Sequence, residues 1–226
     1  MSEDHKPLPW RHISKASNAA LRYIDGRRKG TIKSLLTPWN KFNNISMGGI
    51  EWQTITTIAG MSGSGKTAVL GQLETGLKDL NQKEDFAILS FNFEMLSSRL
   101  IGRKLSNKMK LTTQQLYSAS ENFTLNDNYY MNAVQEARKL NQYDINYVDI
   151  PGSVKALEAT ILAFSKEKNK PVIVMLDHTL LVKKVGGAQD RDLLYDLMAM
   201  FNGLKKVIRV SFILISQMNR NIENSE

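Results

Sequence analysis

The sequence predicts an α/β domain built on a mostly parallel central sheet flanked by helices. Three observations predict it. Runs of apolar and β-branched residues, each of strand length, alternate with segments of helical period. Those runs place apolar side chains on consecutive positions, as strands covered on both faces do. The first of them leads straight into a glycine-rich loop and then a helix.

"SKASNAALRYIDGRRKG" suits a short helix ended by Gly26 or Gly30, and "TPWNKFNN" suits a loop. "TITTIAG" is the first strand. The helix after it, "KTAVLGQLETGLKDL", carries Val69, Leu70, Leu73, Leu77 and Leu80 at helical spacing. Four further strands are expected in "FAILSFNF" (86–93), "INYVDI" (145–150), "PVIVMLDHTLLV" (171–182) and "SFILISQM" (211–218). Helical patterns fill the intervals: "SSRLIGRKLSNKM", "DNYYMNAVQEARKLN", "SVKALEATILAFSKEKN" and "DRDLLYDLMAMFNGLKKVI". The organisation expected is a basic arm or linker over 1–45 and one α/β core over 46–226.

Composition narrows the class. Without cysteine there is no disulfide framework and no thiolate metal site, and His5, His12 and His178 are scattered. No apolar run approaches the ~20 residues of a membrane span, and "MSEDHKPLPWRHISK" has no signal-peptide core. The expectation is a soluble intracellular protein with no membrane partner. Its net charge of +8 is uneven: residues 1–50 hold nine Lys/Arg against three Asp/Glu, and the remainder 21 against 19. The arm is therefore either a solubilising leader or a segment that touches nucleic acid or the acidic face of another subunit.

The glycine loop, "GMSGSGKT", carries the chemistry. Gly60 and Gly65 bracket four residues, and Lys66 and Thr67 follow. Such glycines let backbone N–H groups turn toward phosphate oxygens, and the start of the next helix adds positive partial charge. Gly60, Ser62, Gly63, Ser64, Gly65, Lys66, Thr67 and Ala68 form the candidate nucleotide-binding stretch. Lys66 suits the β and γ phosphates, and the Thr67 hydroxyl suits Mg²⁺.

A phosphate loop needs an acid at the end of an apolar strand. "PVIVMLD" supplies Asp177; Asp149 at the end of "INYVD" competes with it from a less apolar, earlier strand. Glu94, at the tip of the strand after the loop helix, is placed either as a base that polarises water or as a plain strand-end acid. "SFILISQMNR" ends in polar Gln217 and Asn219, where an amide suits sensing of a γ-phosphate or merely closes a turn. A base-reading Asn-Lys-x-Asp is missing, which argues against a GTPase.

The ordered set of phosphate loop, "FEM", "VIVMLDHTLLV" and "ILISQMNR" resembles the RecA-like motor domain of DnaB-type replicative DNA helicases, over about residues 30 to 222. The resemblance implies a RecA-like P-loop NTPase fold. It implies Lys66 and Thr67 on phosphate and Mg²⁺, Glu94 as the water-activating base, Asp177 as the Walker B acid and Gln217 as the γ-phosphate sensor. ATP and Mg²⁺ are the implied cofactors. Single-stranded DNA, a hexameric ring and other replication proteins are the implied partners, in the cytoplasm of a bacterium or of a phage-infected cell. "VKKVGGAQDRD" stands where ring motors carry a pore loop, so Lys183, Lys184 and Arg191 are candidate DNA-phosphate contacts, or belong to a solvated loop.

Departures are also present. His178 stands where many members have Tyr; its place beside Asp177 on a strand predicts that it faces the other way and packs. Relative to the family, the chain reads as lacking the helical collar and the last part of the motor, with its Lys-x-Arg pair. Weak hydrolysis by the chain alone is the corresponding expectation. The functional reading is the ATP-hydrolysing motor core of a ring helicase. The alternatives are a recombinase or regulatory ATPase, and a nucleotide-binding interaction module without turnover.

Overall fold

In the computed structural model, residues 7, 9–120, 124–187 and 189–217 are described. The chain divides into two compact units, residues 1–34 and 35–226. Residues 35–45 thus pack with the second unit, a different division from the one composition suggests.

The first unit contains helix α1, Ile13–Arg28. His12 caps it by accepting the Ser14 N–H, and Arg27 and Arg28 lie in the last turn, where cations favour the helix dipole. The helix runs through Gly26; the reversal comes at Gly30, with φ of 69°.

The second unit is a five-stranded sheet with every pairing parallel. Its strands are β1 (Ile55–Gly60), β2 (Ala87–Asn92), β3 (Ile145–Val148), β4 (Val172–Asp177) and β5 (Val210–Gln217), in spatial order β1-β5-β4-β2-β3. The helices are α2 (Asn40–Ile45), α3 (Lys66–Leu80), α4 (Ser97–Met109), α5 (Thr113–Tyr117), α6 (Asp127–Leu140), α7 (Val154–Lys168) and α8 (Asp190–Val207).

Strand periodicity sorts the core into two layers. Ile173 and Met175 of β4, Ile213 and Ile215 of β5, and Ile88 of β2 pack with Leu70, Leu73 and Leu77 of α3. The alternate residues Val172, Val174, Leu176, Phe212 and Leu214 pack with Leu157 and Ile161 of α7 and with Leu197, Phe201 and Leu204 of α8. This explains the consecutive apolar residues: both faces of the central strands are covered.

Two expectations are corrected. "TPWNKFNN" is not all loop, because α2 forms from Asn40 to Ile45. Its reason is tertiary: Trp39 and Phe42 pack on the α3 core, and buried Asn43 accepts from the Thr37 N–H and hydroxyl and donates to the Thr37 carbonyl. The fourth strand stops at Asp177; the apolar "TLL" that follows is a 3₁₀ turn, Thr179–Leu181, entered through His178 at φ 68°.

Candidate nucleotide-binding and catalytic site

The period of two that builds the core also builds the site. Continuing each strand's α3-facing series to its carboxyl end gives Gly60 on β1, Gln217 on β5, Asp177 on β4 and Asn92 on β2. Gly60 lies opposite Gln217, and Asn92 opposite Asp177, in the parallel registers. Four neighbouring strands thus present these residues on one face, above the N-terminus of α3. The carboxyl edge of a parallel sheet is where such folds bind ligands.

The loop from Gly60 to Gly65 is built by backbone geometry. Gly63 and Gly65 have φ of 79° and 85°, the left-handed region that side chains disfavour. At Gly60 a Cβ would come within 2.7 Å of the Ser64 hydroxyl. Lys66 arches back over the loop, its Nζ donating to the Met61 carbonyl at 2.6 Å. Ser62, Gly63, Ser64, Gly65 and Ala68 are mostly exposed or half-buried, as are Lys66 and Thr67. The first amides of a helix have no intrahelical partner, and at α3 the cap residue Gly65 supplies no side-chain bond to them.

Strand order separates the two competing acids. Asp177 ends β4, inside the sheet, and is 2% exposed. Burial pushes its carboxyl above the ordinary value; the nearby Thr67 hydroxyl opposes that shift, and Glu94 adds to it. Its Oδ1 is buried without a hydrogen-bond partner. A buried carboxylate oxygen beside a threonine hydroxyl fits a hard cation, and Mg²⁺ is ordinarily held by one or two protein oxygens together with phosphates. Asp149 follows edge strand β3 and is engaged elsewhere: its oxygens accept from the Ser97 N–H at 3.0 Å and the Ser97 hydroxyl at 2.7 Å, at the start of α4.

Glu94 is exposed, two residues past the end of β2, on the bend that leads into α4. Gln217 is half-buried at the end of β5, between the phosphate-loop strand and the Asp177 strand. Its Oε1 lies 2.7 Å from His178 Nε2. The expected packing role of His178 is therefore corrected: the left-handed turn swings its ring to the α3-facing side, onto Gln217. Asn219 and Arg220 lie outside the described residues.

Beneath the site, Glu74 of α3 is 2% exposed and fully engaged. It pairs with Lys104, accepts from the Ser90 hydroxyl at 2.6 Å and from the Tyr147 hydroxyl at 3.1 Å. A cavity of about 240 Å³ opens beside it between α3 and α4, lined in part by Thr67, Ala68, Asn92, Arg103 and Lys108. Asn92 and Arg103 escaped the sequence reading. Asn92 was legible as the polar α3-facing residue two before Glu94.

The loop after β4 is tied down before it opens. Val182 is in the core, the Lys183 N–H bonds the Gly152 carbonyl at 2.9 Å, and Gly186 and Gly187 turn at positive φ. Lys183, Lys184 and Arg191 are exposed, with Lys184 paired to Asp190 at the start of α8.

Residues 35–226 match the family described as the DnaB-like helicase C terminal domain. The chain belongs to that family. As a DnaB-like helicase C-terminal domain, it carries the RecA-like P-loop fold, and solved structures agree. One is described as a DnaB-like replicative helicase and its interactions with primase, with a TM-score of 0.70 at 19% identity, covering 92% of this chain and 50% of that one. Another is described as an ATPase domain, with a TM-score of 0.71 at 19% identity, covering 92% of this chain and 73% of that one. This DnaB-like domain spans about half the length of the first of these proteins. No curated protein matches it. None of its described helices is long and apolar enough to cross a membrane.

Proposed function

We propose that the chain is the ATP-binding and ATP-hydrolysing motor core of a ring-forming replicative DNA helicase that acts on single-stranded DNA. One observation carries the reading: Gly60, Gln217, Asp177 and Asn92 end four neighbouring strands on the face that also bears Lys66 and Thr67, with Glu94 just beyond.

The roles follow from chemistry. The loop amides and Lys66 hold the β and γ phosphates. Thr67 and Asp177 hold Mg²⁺, which when bound neutralises phosphate charge. Glu94, exposed and beyond the strand, takes the proton from water as that water adds to the γ-phosphorus and the bond to the bridging oxygen breaks. Gln217 contacts the γ-phosphate. Lys183, Lys184 and Arg191 grip DNA phosphates without reading sequence, so binding weakens with salt. Hexameric assembly and hand-over to other replication proteins complete the reading.

The test is ATP turnover with and without single-stranded DNA, for the chain and for Glu94→Gln. DNA-stimulated turnover that falls by about 10²-fold or more in the variant supports the reading. Turnover equal in both proteins removes Glu94 as the base, and ATP binding with no turnover in either favours the interaction module.

A further inference from the structure

His178 occupies a position that is costly for it. Its φ and ψ of 68° and 80° lie in a region that glycine and asparagine enter more easily, and its Nδ1 is buried with no partner. Such features persist where surrounding contacts hold them. Here the contact is the 2.7 Å hydrogen bond from the ring Nε2 to the Gln217 side chain, between the ends of adjacent strands β4 and β5.

The proton on that ring can be placed by elimination. If Nδ1 carried it, a donor would be buried without an acceptor, and Gln217 would have to spend its NH₂ group on the histidine. Its carbonyl oxygen would then be left for any phosphate, and two acceptors repel. If Nε2 carries the proton, His178 donates to Gln217 Oε1. The amide NH₂ is left as a donor, which is what phosphate oxygens require.

Resting on the proposed ATP site, we infer that His178 is a positioning residue: it locks the Gln217 amide with its NH₂ toward the γ-phosphate, so that the site distinguishes ATP from ADP. The turn at His178 serves this purpose, since an extended residue after Asp177 would put the ring on the opposite face of the sheet.

The experiment is equilibrium binding of Mg·ATPγS and Mg·ADP to the full chain and to three variants. His178→Phe keeps a ring and removes the donor. His178→Gln restores an NH₂ near the Nε2 position. Both suit the left-handed turn equally poorly, so their difference reports the donor and not backbone strain. Gln217→Ala removes the group that is positioned.

His178→Phe is expected to weaken Mg·ATPγS about fivefold or more with Mg·ADP little changed, and His178→Gln to recover most of the loss. Adding His178→Phe to Gln217→Ala is expected to cost nothing further, because the histidine acts through the glutamine. Three results overturn the inference: an unchanged ATPγS-to-ADP ratio in His178→Phe, an equal loss for both nucleotides, or additive losses in the double variant. If the unaltered chain binds neither nucleotide, the ATP-site reading falls and takes the inference with it. If it discriminates and His178→Phe discriminates equally, only the role of His178 falls.

Discussion

Asp177, the last residue of β4, and Asn92, the last residue of β2, lie opposite each other in the parallel register, on the side of the sheet that faces α3. Asp177 also has an oxygen, Oδ1, that is buried and without a partner. Thr67, in the first turn of α3, is near enough to lower that carboxyl's proton affinity and Glu94 near enough to raise it, so hydroxyl and carboxylate are neighbours at the strand end.

That pairing predicts a metal-specific defect. Asp177→Asn should lower the Mg²⁺ dependence of ATP binding by about tenfold or more while leaving metal-free ATP binding within about twofold. Titrations with fluorescent ATP, in Mg²⁺ and in chelator, check this. Equal losses in both conditions would instead indicate damage to the phosphate loop.

The Glu74–Lys104 pair predicts a stability effect. Both side chains are nearly buried, at 2% and 10% exposure, and Ser90 and Tyr147 supply further hydrogen bonds to the carboxylate. Lys104→Met strands a buried charge and should destabilise the fold by about 3–5 kcal/mol. Adding Glu74→Gln should recover most of that loss in urea denaturation.

At Gly102 two principles give opposite signs. Helix propensity favours Gly→Ala by up to about 1 kcal/mol. In the structure a Cβ there would lie 1.5 Å from the Tyr117 hydroxyl oxygen, and the Tyr117 ring also stacks under the Arg99 guanidinium at 4.8 Å. Gly102→Ala should therefore cost about 1–3 kcal/mol, with Tyr117→Ala relieving the clash. Thermal unfolding of the two single variants and the double variant decides the sign.

Much of this was legible beforehand. The segments 66–80, 97–109, 127–141, 153–169 and 190–208 showed helical period, and the helices found there differ by a residue at most at either end. The glycine loop was legible because its chemistry is local. Asp177 could be preferred to Asp149 for its more apolar strand, but the structural reason, that β4 lies inside the sheet and β3 at its edge, is non-local. His178 was misread for a physical reason: "TLLV" is apolar enough to continue a strand, yet Thr179 and Val182 are buried by a turn. Asn-rich α2 was missed because packing, through Trp39, Phe42 and Asn43, overrides weak helix propensity.

Acid should act through Asp144. Burial pushes its carboxyl up, but Lys168, Lys170 and Asn146 outweigh that and hold it at about 2. Both ammonium groups lie 2.9 Å from its oxygens. A carboxyl depressed in the folded state stabilises above its unfolded value and loses that contribution as pH falls through about 2. Asp144→Asn should then cost about 1 kcal/mol or less at pH 7, given the partial exposure, and progressively less as pH falls toward about 2. Denaturant midpoints across that pH range measure the difference.

"GMSGSGKT" and the strand ends above it are proposed to form one ATP site. Calorimetric titration of Mg·ATP into the chain and into Lys66→Ala tests it most directly. Lys66 is half-buried against its own loop, with its ammonium free to exchange the Met61 carbonyl for phosphate. One saturable site per chain is expected, weakened at least about tenfold in the variant. Equal affinity in both proteins, or no binding by the unaltered chain, would contradict it.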